Sequence, residues 1–79
     1  IWMAKIVKYE YDPNGQVKDA TVTECVYKVS ETASGKIAAF TTVGSGARKA
    51  VGKGSQTLHF DRDSAQQMIH ILREIFDLK

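Results

Sequence analysis

The chain has 79 residues, 43 % hydrophobic and 25 % charged, with a formal net charge of +2. That length suits one domain spanning 1–79, and a domain so small buries only roughly 60 % of the surface its unfolded chain exposes, so stability is expected to be thin unless it oligomerises. The composition excludes a disordered tail, and neither a membrane span of ~20 apolar residues nor a signal peptide is legible, which leaves a cytoplasmic location as the default expectation. Met3 reads as a natural start, with Ile1 and Trp2 as an added remnant.

In chain order, Lys5 to Tyr11 alternates as a first strand, with Val7, Tyr9 and Tyr11 on one face. Asp12-Pro13-Asn14-Gly15 follows, a turn in which proline presets one backbone angle and glycine takes a position other residues occupy at a cost. It predicts a hairpin, and hence an antiparallel second strand over Val17 to Ser30. The apolar positions of that strand change phase between Ala20 and Val22 on one side and Cys25, Tyr27 and Val29 on the other. A bulge near Thr23 and Glu24 would restore one apolar face and curve the sheet. Glu31 to Gly35 is small and polar enough for a second turn, and Lys36 to Val43 alternates as a third strand, with Ala38, Phe40 and Thr42 on one side.

Gly44 to Gly54 holds four of the six glycines and joins the third strand to a fourth, whose Gln56, Leu58 and Phe60 share a face. A helix then closes the chain. Asp61 is its expected N-cap, Asp63 suits the positive first turn, and Phe60 can staple against Ala65. Ala65, Met68, Ile69, Leu72, Ile75 and Phe76 fall on one helical face, which Ile71 and Leu78 widen. The expected fold class is therefore α+β: a four-stranded curved antiparallel sheet followed by one C-terminal helix, ββββα. The apolar face is broader than one surface helix needs. A homodimer is expected to bury Met68, Ile71, Leu72, Ile75 and Phe76.

Charge is distributed unevenly. From Ile1 to Val43 five lysines balance five acids, and Asp61 to Lys79 carries four acids against three bases. The excess lies in the glycine-rich stretch, where Arg48, Lys49 and Lys53 stand with no acid among them. That stretch is not a nucleotide loop. Five residues, not four, separate Gly46 from Gly52, Gly54 stands where the magnesium hydroxyl should be, and Lys49 occupies the third glycine position of a dinucleotide fingerprint. A flexible basic connection can instead follow a phosphate backbone by charge and by free N–H groups. Tyr9, Tyr11, Tyr27 and Phe40 lie on strands, where exposed rings can stack on bases.

Enzyme chemistry finds no constellation to work with. His59 and His70 lie outside any local zinc spacing, Cys25 can form no intramolecular disulfide alone, and no third group orients a Cys25–His59 pair. The chain reads as a non-enzyme without cofactor, metal or small-molecule substrate.

Four strands and then a helix, with Lys53-Gly54 leading towards Leu58 and Gly35-Lys36 opening the third strand, resemble the single-stranded nucleic-acid-binding proteins of the Whirly type. That group includes the transcriptional coactivator p15-like and purine-rich-element-binding proteins. The resemblance implies pairing through helices and curved sheets that present strand faces and loops to unpaired bases. The expectation is a homodimer binding single-stranded DNA or RNA with low sequence specificity, in transcription, replication or repair. Lys36, Arg48, Lys49 and Lys53 would hold phosphates, while Tyr9, Tyr11, Tyr27 and Phe40 would offer stacking surfaces. The rival expectation is a protein-interaction module that binds no nucleic acid.

Overall fold

The computed structural model describes residues 2–43 and 55–79. Four strands, β1 (Trp2–Lys5), β2 (Cys25–Thr32), β3 (Gly35–Thr42) and β4 (Gln56–Phe60), precede one helix, α1 (Arg62–Phe76). The α+β class and the ββββα order stand as the sequence indicates. The strands form one sheet in the order β1-β4-β3-β2.

β2 and β3 pair antiparallel from Cys25↔Thr42 to Thr32↔Gly35. Ala33 and Ser34 make the two-residue connection that suits a tight hairpin. Gly35 closes it at φ 116°, in backbone space that side chains disfavour. The Thr32 hydroxyl donates to the Gly35 carbonyl at 2.8 Å and accepts from the Ser34 N–H at 3.1 Å, tying the turn from inside. β3 and β4 are also antiparallel, from Ala38↔Phe60 to Thr41↔Thr57, and the two threonine hydroxyls bond each other at 2.7 Å.

β1 departs from the expectation. It lies at Trp2–Lys5 rather than over Lys5 to Tyr11, and it pairs parallel with β4, from Trp2↔Gln56 to Lys5↔His59. The sheet is therefore mixed, not wholly antiparallel. One further ladder bond, from the Ile6 N–H to the His59 carbonyl at 3.1 Å, ends the pairing, and the Tyr9 hydroxyl then donates to the Ser64 carbonyl at 2.8 Å. That bond draws residues 7–11 towards the helix instead of along the sheet. The Asp12 turn does form, with the Gly15 N–H donating to the Asp12 carbonyl and the Asn14 N–H to the Asp12 carboxylate. It joins no hairpin, because β4 is the partner of β1.

The second strand is also shorter at its start than Val17 to Ser30. Residues 17–24 lie outside any strand, and Val17 and Val22 are exposed. No bulge forms at Thr23 and Glu24, because the change of phase falls at a strand boundary; only the bond from the Val43 N–H to the Glu24 carbonyl carries the ladder one step further back. A local rule for alternation cannot tell a bulge from an end.

The helix begins as the sequence predicts. Asp61 is the N-cap, its carboxylate accepting from the Ser64 N–H at 2.9 Å, while the Asp61 N–H donates to the Ser64 hydroxyl at 3.1 Å, so serine completes a reciprocal capping box. Asp77 ends the helix in left-handed geometry at φ 54°. Its N–H and that of Leu78 close on the Arg73 carbonyl. The helix packs chiefly against β4, and every residue from Leu72 onward is exposed.

Val43, 4 % exposed, is the one buried apolar residue among the described residues. The radius of gyration, 14.3 Å, exceeds the about 12 Å expected of a compact chain of this length. The described residues of a single copy thus form a framework with hardly any core.

Candidate nucleic-acid interface

Pairing register decides which side chains share a face. Tyr27, Phe40 and Leu58 lie abreast across β2, β3 and β4, and Val29, Ala38 and Phe60 form the next row on the same face. The rings interlock. Tyr27 stacks on Phe40 with centroids 5.4 Å apart and planes 23° off parallel, and Phe40 meets Phe60 edge to face at 5.5 Å. Both arrangements suit the ring quadrupole. Tyr27 remains 67 % exposed and Phe40 38 %. β2 is exposed along its whole length at the edge of the sheet, which leaves the outer part of the Tyr27 ring open to a flat partner.

The structure divides the other predicted site residues. Tyr11 is exposed at 88 % in the stretch beyond β1. Tyr9 is half-buried, its hydroxyl engaged by the helix, and burial first and the Asp61 charge second raise its pKa above the ordinary 10.0. That bond gives Tyr9 an anchoring role. Lys36 is exposed near Glu31, its register partner, with the ammonium 3.8 Å from the carboxylate; an ion pair so wet holds a lysine weakly and leaves it able to meet a phosphate. Arg48, Lys49 and Lys53 lie outside the described residues.

A second cluster lies where β1, β4 and α1 meet. The Lys5 ammonium is 3.4 Å from the Asp61 carboxylate, which also holds the helix N-terminus. The Ser64 N–H, followed by the Ser64 side chain and Lys5, keeps the Asp61 carboxyl below its ordinary 3.8. This cluster uses its polar groups structurally. Cys25 is a free, exposed thiol, and the described residues hold no group of three or more potential metal ligands. Nor is any described helix long and apolar enough to cross a membrane.

Comparison with known proteins gives no relative: no family model, curated protein or solved structure matches the chain.

Sequence reasoning placed Phe60 on the correct face but saw it only as a staple for the helix. Its place in the aromatic row depends on the β3–β4 register, in which Phe60 falls opposite Ala38 and so next to Phe40. A small residue at 38 was the available signal: it leaves room on the sheet for two large rings to meet. Of the dimer residues expected on the helix, Met68 and Ile71 are half-buried, whereas Leu72, Ile75 and Phe76 are exposed.

Proposed function

We propose that this chain is a homodimeric domain that binds single-stranded DNA or RNA with low sequence specificity, through strand-borne rings and basic side chains, and that it acts by binding rather than catalysis. The observation that carries this reading is Tyr27, exposed on the edge strand of the sheet and stacked from behind by Phe40. Every base has a π face, so a ring at such an edge gives affinity without choosing a sequence. Lys36 from β3 and Tyr11 add a cation and a second exposed ring. Arg48, Lys49 and Lys53 belong to the connection between β3 and β4 and contribute phosphate contacts, while Tyr9 contributes mainly by fixing the helix. The order of elements and Gly35-Lys36 at the start of β3 keep the resemblance to Whirly-type and coactivator p15-like proteins as part of the proposal. Work in transcription, replication or repair, in the cytoplasm, goes with it.

Met68, Ile71, Leu72, Ile75 and Phe76 supply the dimer contact in this reading. One observation favours the rival: a chain with so much exposed apolar surface also suits a module that docks a different protein.

Fluorescence anisotropy of a labelled, mixed-sequence oligonucleotide of roughly 20 nucleotides, single-stranded and then duplex, separates the two. Preferential binding of the single strand that weakens with salt supports the reading. Replacing Arg48, Lys49 and Lys53 together with alanine should lower the slope of log affinity against log salt by about 2, at about 0.7 per phosphate contact. An unchanged slope removes the loop from the site, and no binding of either form at tens of micromolar leaves the rival.

A further inference from the structure

An open groove of about 1260 Å³ runs between the aromatic face of the sheet and α1, lined by Val29, Phe40, Leu58 and Phe60 on one side and Met68 and Ile69 on the other. We infer that this groove receives the C-terminal half of α1 from a second copy of the chain, so that two protomers clasp each other reciprocally. The inference rests on the homodimer proposed above and adds what each helix docks against.

Size supports that occupant. A helix about 10 Å across fills a groove of this volume over about 16 Å, or about three turns. Beyond the wall formed by Met68 and Ile69 the helix runs from His70 to Phe76, about 10 Å or two turns, so it fits within the groove, and Leu72, Ile75, Phe76 and Leu78 are exposed at between 36 % and 64 %. It cannot turn back into its own groove. The capping box, the Lys5–Asp61 pair and the Tyr9–Ser64 bond hold the start of the helix against the sheet, and Met68 and Ile69 already form the groove's own wall, so the following turns run on past it. A two-fold axis resolves both surpluses at once, because docking one helix end in the partner's groove places the partner's helix end in the first.

The available area is that of a small interface. With about 150–250 Å² for a large side chain, the exposed fractions of Val29, Phe40, Ile69, Leu72, Ile75 and Phe76 leave on the order of 550 Å² per chain, about two thirds of the ~800 Å² that each partner contributes to a standard interface. Charge argues against a polyanion in the same place. The rim carries Asp61 and Asp63 beside Arg62 and Lys36, so phosphates gain no net attraction there, and the apolar floor decides what enters. Tyr27 is not among the lining residues. The clasp therefore separates two rings that touch: Phe40 becomes part of the dimer core, and Tyr27 stays at its rim with a face for a base.

The test is isotope-filtered NMR on the full chain, mixing labelled and unlabelled protomers by unfolding and refolding together, alongside sedimentation of the same sample. Intermolecular contacts from Ile75 and Phe76 to the rings of Phe40 and Phe60 are expected, with a sedimenting mass twice the 8.7 kDa of one chain. Intermolecular contacts confined to helix against helix, such as Leu72 with Leu72 of the second copy, would overturn the clasp and leave the homodimer standing. A sedimenting mass of one chain with no intermolecular contact would overturn both.

Discussion

Two ends of the same helix follow opposite rules. At its start, polar groups tie the helix down: Asp61 and Ser64 cap each other, Lys5 approaches the cap, and Tyr9 reaches the Ser64 carbonyl from 55 residues away in sequence. At its far end the only ties among the described residues are local, the Asp77 and Leu78 N–H groups on the Arg73 carbonyl and the exposed His70–Glu74 pair, and Leu72, Ile75, Phe76 and Leu78 stand exposed. The contrast teaches that direction and driving force are separate here. Hydrogen bonds aim the helix, but they contribute only about 1 kcal/mol each; the apolar surface that could stabilise it by burial stays exposed in the single copy.

The sharpest way to break that contrast is to charge the far end. Ile75→Asp with Phe76→Asp should abolish self-association, since each buried side chain of this kind contributes about 1.5–3 kcal/mol and an unpaired carboxylate cannot take its place. Sedimentation reads the loss of mass, and circular dichroism the fall in unfolding temperature. If the variant sediments as wild type does, the far end is not an interface.

A smaller effect is expected at the hairpin. Gly35→Ala places a side chain at φ 116° and should destabilise the chain by about 1–3 kcal/mol, read by chemical denaturation. No atom lies within 4 Å of the added carbon, so backbone strain and not collision is what the experiment measures.

Next comes the anchored end. Tyr9→Phe removes one hydroxyl and should cost about 1 kcal/mol by leaving the Ser64 carbonyl without that donor. Its pH signature follows from the raised pKa: the folded state holds the proton more tightly, so the contribution is complete below 10.0 and is lost as pH rises through the higher folded value. Wild type should lose stability above pH 10.0 more steeply than the Phe variant.

Asp61 works in the opposite direction. Its folded pKa lies below 3.8, so its contribution is present above that value and lost as pH falls from 3.8 through the folded pKa. Asp61→Asn can still cap the helix and should flatten this acid limb, whereas Asp61→Ala should also lower the helix content seen by circular dichroism. An acid limb unchanged in Asp61→Asn would show that another carboxylate carries it.

The sequence was most legible where a feature is local. Asp61 before an apolar periodic run placed the helix start to the residue, and the small polar turn before Lys36 placed the β2–β3 hairpin. Legibility failed where the outcome depends on a distant partner. Alternation from Lys5 to Tyr11 is genuine, yet β1 ends at Lys5 because its pairing partner, β4, ends at Phe60. The phase change near Thr23 indicated a bulge when it marked the edge of a strand. Parallel pairing of the first and last strands leaves no local trace, since both arrangements use the same alternating residues. In the candidate site, Tyr27 and Phe40 were found from strand position alone; that they touch, and that Phe60 joins them, follows only from the register.

In the proposed homodimer, the apolar surface left open in one copy is covered by a second. Thermal unfolding over about a hundred-fold range of protein concentration reports on that covering, because a folded state that includes association gains stability by mass action. The unfolding temperature should climb steadily with concentration, in a protein sedimenting at twice 8.7 kDa. An unfolding temperature independent of concentration, in a protein sedimenting at 8.7 kDa, would contradict it.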